Sequence, residues 1–213
     1  MTELVFDCVG ARNERYAVVP TLTFILRISE TSGQRIDAIA LRSQIRIQPQ
    51  QRRYDDAEAE RLLDLFGEPA RWADSLKPIQ LATVSTMVPG FTGGIEVELP
   101  VPCTYDLEVG WARYINSLES GVVPLLMLFS GTVFSTSDGR MSVQQVPWSK
   151  EAGYGLAVAV WRELVDTHFP NTSWIRVHRE VLDELLAYKS ANALPTWDST
   201  FEALLANARE LSP

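Results

Sequence analysis

Cysteine and histidine are scarce in this sequence, with two of each in 213 residues. Two thiols, Cys8 and Cys103, cannot frame a disulfide-rich scaffold, and in a reducing compartment both are expected buried and free. His168 and His178 have Glu163, Asp166 and Glu180 nearby in sequence, the donor types of a carboxylate–histidine metal site. Their spacing matches no zinc motif, and a histidine at a helix end is commonly held by the negative end of the helix dipole. The expectation is therefore no metal and no cofactor, with His168 and His178 the residues on which a metal reading would rest. No apolar run approaches the ~20 residues that span a bilayer. The start, Met1-Thr2-Glu3, has neither the basic nor the apolar region of a signal peptide, so a cytoplasmic protein without a membrane span is expected. Basic residues are outnumbered 19 to 27, and the net charge of −8 opposes nucleic acid or anionic lipid as a main partner. Internal repeats and low-complexity segments are absent.

Catalytic signatures are absent as well. Gly90-Phe91-Thr92-Gly93-Gly94 has the outline of a nucleophile elbow, but an elbow needs a helix after it, and Ile95 to Leu99 reads as a strand. The same stretch lacks the Lys-Ser/Thr of a phosphate loop. No Ser-His-Asp arrangement suggests itself, and the enzyme class has the least support.

What is present is β structure first and helix last. Val122 to Phe134 reads as a central strand buried on both faces, since apolar residues fill both parities from Leu125 to Phe129. Before it, Leu4 to Val9 and Thr21 to Ser29 read as strands separated by a polar turn over Gly10 to Tyr16. Ile36 to Pro49 places Ile39, Leu41, Ile45 and Ile47 on one side and Arg42, Gln44, Arg46 and Gln48 on the other, a strand with one solvated face. A helical insert is predicted over 55–76: Asp55 and Glu58 form a variant capping box, Ala59, Leu62, Leu63 and Phe66 recur at helical spacing, and Gly67 closes the helix. Ile79 to Val88 puts Leu81, Thr83, Ser85 and Met87 on one parity, and with Ile95 to Leu99 forms a predicted hairpin. Pro100 and Pro102 mark an edge. Thr104 to about Gly110 reads as strand, followed by a short helix, and Met141 to Val146 and Tyr154 to Val158 as further strands. Val158, Trp161, Val165 and His168 line a helix that Pro170 ends, Trp174 to His178 reads as a strand-like link, and Leu182, Leu185 and Leu186 mark another helix. Thr196 caps a last helix carrying Trp197, Phe201, Leu204, Leu205 and Ala208.

The fold expected is α+β: a mainly antiparallel β-sandwich of the immunoglobulin or C2 kind over 1–157, with the insert at 55–76, and a helical segment, 158–213, packed on it. The ladder Arg42, Gln44, Arg46, Gln48, about 20 Å long at strand rise and continued by Arg52 and Arg53, is the candidate partner-binding face. No aromatic interleaves with these arginines, which weighs against single-stranded nucleic acid. Of six tryptophans, Trp148, just after Pro147 in a break between strands, is the one expected to be partly exposed and to contact a partner.

Thr21 to Phe24, Ile39 to Arg42, Arg61 to Gly67, Met87 to Phe91, Pro124 to Phe134 and Leu194 to Trp197 resemble an uncharacterised bacterial protein family over the full length of the chain. The family is found beside uptake nickel–iron hydrogenase gene clusters. The resemblance implies an accessory or assembly role with a protein partner, a hydrogenase subunit or its maturation machinery, and it carries no catalytic residues. Phe169-Pro170, Trp174 to Val177 and Leu182 to Leu186 also resemble the end of the SecB export chaperone, which implies a holdase for unfolded chains. The chain lacks that chaperone's Pro-Val-Asn-Phe run and has more strands before its helices.

Overall fold

The computed structural model describes residues 3–103, 109–137, 139–172 and 175–211. Among them the strands are β1 (Leu4–Asn13), β2 (Thr21–Glu30), β3 (Arg35–Ile36), β4 (Ala38–Ile47), β5 (Ile79–Val88), β6 (Phe91–Thr92), β7 (Gly94–Pro102), β8 (Val122–Ser137), β9 (Arg140–Gln145) and β10 (Glu151–Ala157). The helices are α1 (Asp56–Arg61), α2 (Leu63–Phe66), α3 (Trp72–Ser75), α4 (Gly110–Asn116), α5 (Val158–His168), α6 (Arg179–Ala191) and α7 (Trp197–Leu211). The strand expected over Thr104 to Gly110 falls largely outside the described residues, as do Asp138 of the turn before β9 and Trp174 of the strand-like link. Ile175 to His178 is irregular rather than strand.

Every strand pair is antiparallel, and the fold is α+β. One sheet runs β1-β2-β7; a larger one runs β10-β8-β4-β5 with β9 also on β8; β3 and β6 form a two-residue ladder. Leu22, Phe24, Leu26 and Ile28 of β2 are fully buried, as are Ile39, Ile45 and Ile47 of β4, because one parity of each strand is mainly apolar, with Glu30 and Ser43 the buried polar residues on it. The inner faces of the two larger sheets meet: Phe6 stacks on Phe129 at 4.4 Å and Phe24 meets Tyr154 edge-on at 6.0 Å.

The structure corrects the reading of β8. Val123, Leu125, Met127 and Phe129 are buried, but Pro124, Leu126 and Leu128 are only half-buried. Leu126 stands between Arg46 and Gly153, and Leu128 between Gln44 and Glu151, so polar neighbours shield them in part instead of a second apolar layer. At Gly131 the free edge of β8 changes partner, from β10 over Val122–Leu128 to β9 over Thr132–Ser137. Gly131 has φ 148°, and a Cβ there would lie 2.1 Å from the Ala40 carbonyl oxygen, so the close approach of β8 to β4 at this point needs glycine.

Three further expectations shift. β1 runs on to Asn13 through a bulge at Val9, where the polar residues had read as a turn. A second bulge in β5, between the pairs Ile45–Ala82 and Arg46–Gln80, turns Leu81 inward while Thr83, Ser85 and Met87 face out. β5 and β7 form no hairpin: Pro89-Gly90 carries the chain out of the larger sheet, Phe91–Thr92 pairs with Arg35–Ile36, and β7 then pairs with β2. Gly90 passes so close to β3 and β4 that a Cβ would stand 2.9 Å from the Asp37 carbonyl oxygen. Pro100 and Pro102 do lie on an edge strand, β7, where a missing N–H costs no ladder bond.

The chain divides into two compact units, Met1–Trp174 and Ile175–Pro213. Helix α5 belongs to the first, with Trp161 against Trp111 at 5.2 Å and its indole N–H donating to Asn116 Oδ1 at 2.8 Å. In the second, Thr196 Oγ1 caps α7 by accepting from the Ser199 N–H at 3.1 Å, and Asn207 Nδ2 donates to the Tyr188 hydroxyl of α6 at 3.1 Å. Among the described residues no helix is long and apolar enough to cross a membrane.

Candidate functional site

The outer face of the larger sheet carries most of the predicted ladder. Arg46 Nη2 donates to Gln44 Oε1 at 2.8 Å, and Gln44 Nε2 donates to Gln80 Oε1 on β5 at 2.9 Å. Arg42 is exposed between Ser130 of β8 and Ser85 of β5, and its side chain makes no hydrogen bond or ion pair among the described residues. Trp148, 92% exposed, stands on the Pro147–Lys150 turn, which the Lys150 N–H closes onto the Pro147 carbonyl oxygen at 3.0 Å. With Arg42, Gln44, Thr83, Leu128 and Ser130 it lines a shallow hollow of about 340 Å³.

Gln48 does not join this face. The strand stops at Ile47 because Pro49 opens a 3-10 turn, and Gln48 is 5% exposed, its N–H on the Pro124 carbonyl and its side chain bonded to Gln50. Arg52 is also withdrawn from the cationic strip. Its guanidinium meets Glu58 at 2.6 Å and donates to the Val122 and Ser120 carbonyl oxygens at 2.8 Å each. Glu58, 3% exposed, accepts further from the Glu119 N–H at 2.9 Å. Asp55 caps α1 as predicted, taking the Glu58 N–H at 2.8 Å, but the side chain of Glu58 goes to Arg52, where a buried opposite charge holds it. Beside this pair the Tyr54 hydroxyl meets Tyr114 at 2.8 Å and the Pro49 carbonyl at 2.7 Å. Burial pushes the Tyr114 hydroxyl far above the ordinary phenol range. The Asp55-x-x-Glu58 spacing announced the cap, but nothing in the sequence announced Arg52 as its partner.

His168 and His178 fall in different units. His168 Nδ1 lies 3.0 Å from the Leu164 carbonyl oxygen, a contact within its own helix, and His178 is exposed at the start of α6. Among the described residues no group of three or more His, Cys, Asp or Glu side chains is placed to hold a metal. Cys8 and Cys103 are free thiols. Burial pushes Cys8 up to about 11 and Cys103 to about 12. Away from the sheet face, Glu68, Arg71 and Asp74 surround an open hollow of about 580 Å³ floored by Leu63 and Phe66.

These features define an α+β protein of antiparallel sheets with a helical insert, offering an open face of arginine, amide and tryptophan. The chain belongs to a family of unknown function (DUF6084), whose model matches residues 1–213. No curated protein matches it. Among solved structures it is similar to a β-glucosidase from Kluyveromyces marxianus, at 12% identity and TM-score 0.25, over 72% of this chain and 15% of that one. It is similar also to β-glucosidase 3B from Thermotoga neapolitana in complex with α-D-glucose, at 16% identity and TM-score 0.24, over 72% of this chain and 17% of that one. The chain thus spans 15% to 17% of the length of these enzymes, and a likeness at such scores carries no argument about fold or activity.

Proposed function

We propose that this is a non-catalytic accessory or assembly protein that binds another protein through the outer face of β4, β5 and β8. One observation carries the reading: a tryptophan 92% exposed beside an arginine that has no counterion among the described residues, over the half-buried Leu128. Tryptophan and arginine are enriched among the residues that dominate the energetics of protein interfaces. The resemblance to a family encoded beside hydrogenase gene clusters supports a hydrogenase subunit or maturation protein as the partner, in the cytoplasm. The stacking of Phe6 on Phe129 and the edge-on contact of Phe24 with Tyr154 support a sandwich of the immunoglobulin or C2 kind as the frame presenting that face.

The test is to tag the chain in its native host, isolate it gently at low and at high salt, and identify what accompanies it by mass spectrometry. A stoichiometric hydrogenase subunit or maturation protein, lost on Trp148→Ala, is expected. A chain isolated alone would sink the stable-partner reading. A holdase is the second reading, favoured by Val181, Leu182 and Leu186 of α6 and Leu205 of α7, each more than a third exposed. It predicts a diffuse set of unfolded chains in the same isolation.

A further inference from the structure

Three arginines elsewhere on the sheets are matched by carboxylates. Arg12 meets Glu98 at 3.0 Å, Arg27 meets Glu96 at 2.7 Å, and Arg35 lies 3.7 Å from Asp37. Arg42 cannot be matched in this way, because its cross-strand neighbours are Ser85 and Ser130, and a hydroxyl carries no charge. Glu151 shares the face, opposite Leu128, but pairs with neither Arg42 nor Arg46. The face therefore holds an unspent guanidinium within a chain of net charge −8.

The hollow beside Arg42 has two kinds of wall. Leu128 and Trp148 are apolar, while Arg42, Gln44, Thr83 and Ser130 supply donors. At about 340 Å³ it has room for a side chain together with part of its backbone. We propose that it receives an acidic segment of the partner protein. An aliphatic or aromatic side chain of that segment seats against Leu128 and the Trp148 ring, and a neighbouring carboxylate pairs with the Arg42 guanidinium. The planar fork of arginine takes a carboxylate through two parallel bonds. This inference rests on the protein-binding reading above and adds the chemistry of the partner.

A random peptide library is selected on the full chain at low salt. The binders are then titrated against wild type, Trp148→Ala and Arg42→Gln, both of which alter surface positions. Selected peptides should carry Asp or Glu beside one large apolar residue. Trp148→Ala should weaken them roughly tenfold or more, and Arg42→Gln about three- to fivefold, the range of an exposed ion pair. Peptides that are basic or neutral, or a selection that yields none, overturn the proposal. Loss on Trp148→Ala with full binding to Arg42→Gln removes the acidic partner and leaves the binding face standing; indifference to both substitutions removes both. Binding of a poly-dT oligonucleotide that Arg42→Gln abolishes, or self-association in sedimentation that Arg42→Gln dissolves, would assign the face to nucleic acid or to a second copy instead.

Discussion

At the scale of single residues, the Arg52–Glu58 pair is the most consequential buried feature. Both side chains are largely out of water, at 11% and 3% exposure, so removing one charge strands the other. Glu58→Gln should cost about 3 kcal/mol or more of unfolding free energy in urea, whereas Arg52→Met with Glu58→Leu should recover part of that loss. Equal losses in the single and double variants would show that the charge pairing itself is not what matters. Glu30 gives a pH signature. Burial raises its carboxyl, but hydrogen bonds from the Ser32 side chain and from the backbone N–H groups of Ser32, Glu3 and Gln34 outweigh burial and hold it below the usual carboxylate range. A depressed folded value stabilises the protein above the unfolded value, and that stability is lost as pH falls through the folded one. Denaturation across the acid limb should therefore flatten in Glu30→Gln, and an unchanged limb would assign the acid transition to other groups. The cysteines titrate the other way. With Cys8 at about 11 and Cys103 at about 12, little thiolate exists at pH 8, so iodoacetamide should label the native chain far more slowly than the guanidinium-unfolded one.

At the scale of elements, the test lies in β8. Gly131→Ala places a methyl group 2.1 Å from the Ala40 oxygen at a φ that alanine avoids, so β8 or β4 must move. A loss of about 3 kcal/mol or more is expected, read as a lowered urea midpoint, while Gly139→Ala, with open space around its Cβ, should cost less. If the two lose equally, the close approach of β8 to β4 is not what glycine provides. The same strand marks the limit of what was legible in the sequence. Local pattern found the inner faces of β2 and β4 from parity, the cap of α1 from the Asp55-x-x-Glu58 spacing and the edge position of Pro100 and Pro102 from their missing N–H, because these depend on neighbours in sequence. The half-open outer face of β8 was misread because the side chains beside Leu126 and Leu128 come from β4 and β10, which no local pattern names. The bulge at Leu81 and the pairing of β7 with β2 escaped for the same reason: register is decided across the sheet. Of the candidate face, Arg42, Gln44, Arg46 and the exposure of Trp148 were legible, and Gln48 was lost to a 3-10 turn one residue further on.

At the scale of the whole molecule, the distribution of burial separates the two functional readings. The buried apolar residues run from Leu4 to Val165, all in the first unit, and among the described residues of the second only Thr200 is buried. A chain ending at Thr172 therefore keeps the whole apolar core and should unfold in urea as one cooperative transition, with a midpoint close to that of the full chain. The second unit holds two short helices, and no apolar side chain among its described residues is buried, so a peptide of residues 175–213 should show little helicity by circular dichroism. The truncated chain then divides the hypotheses physically. The arginine–tryptophan face lies in the first unit, so a partner bound there survives truncation. The exposed leucines of α6 and α7 are removed, so suppression of aggregation of an unfolded test protein should vanish if those residues perform it. Retained partner binding with unchanged holdase activity would place both activities on the sheets. Loss of partner binding from a truncated chain that still unfolds cooperatively would move the interface to the helical pair and overturn the assignment of the β4–β5–β8 face.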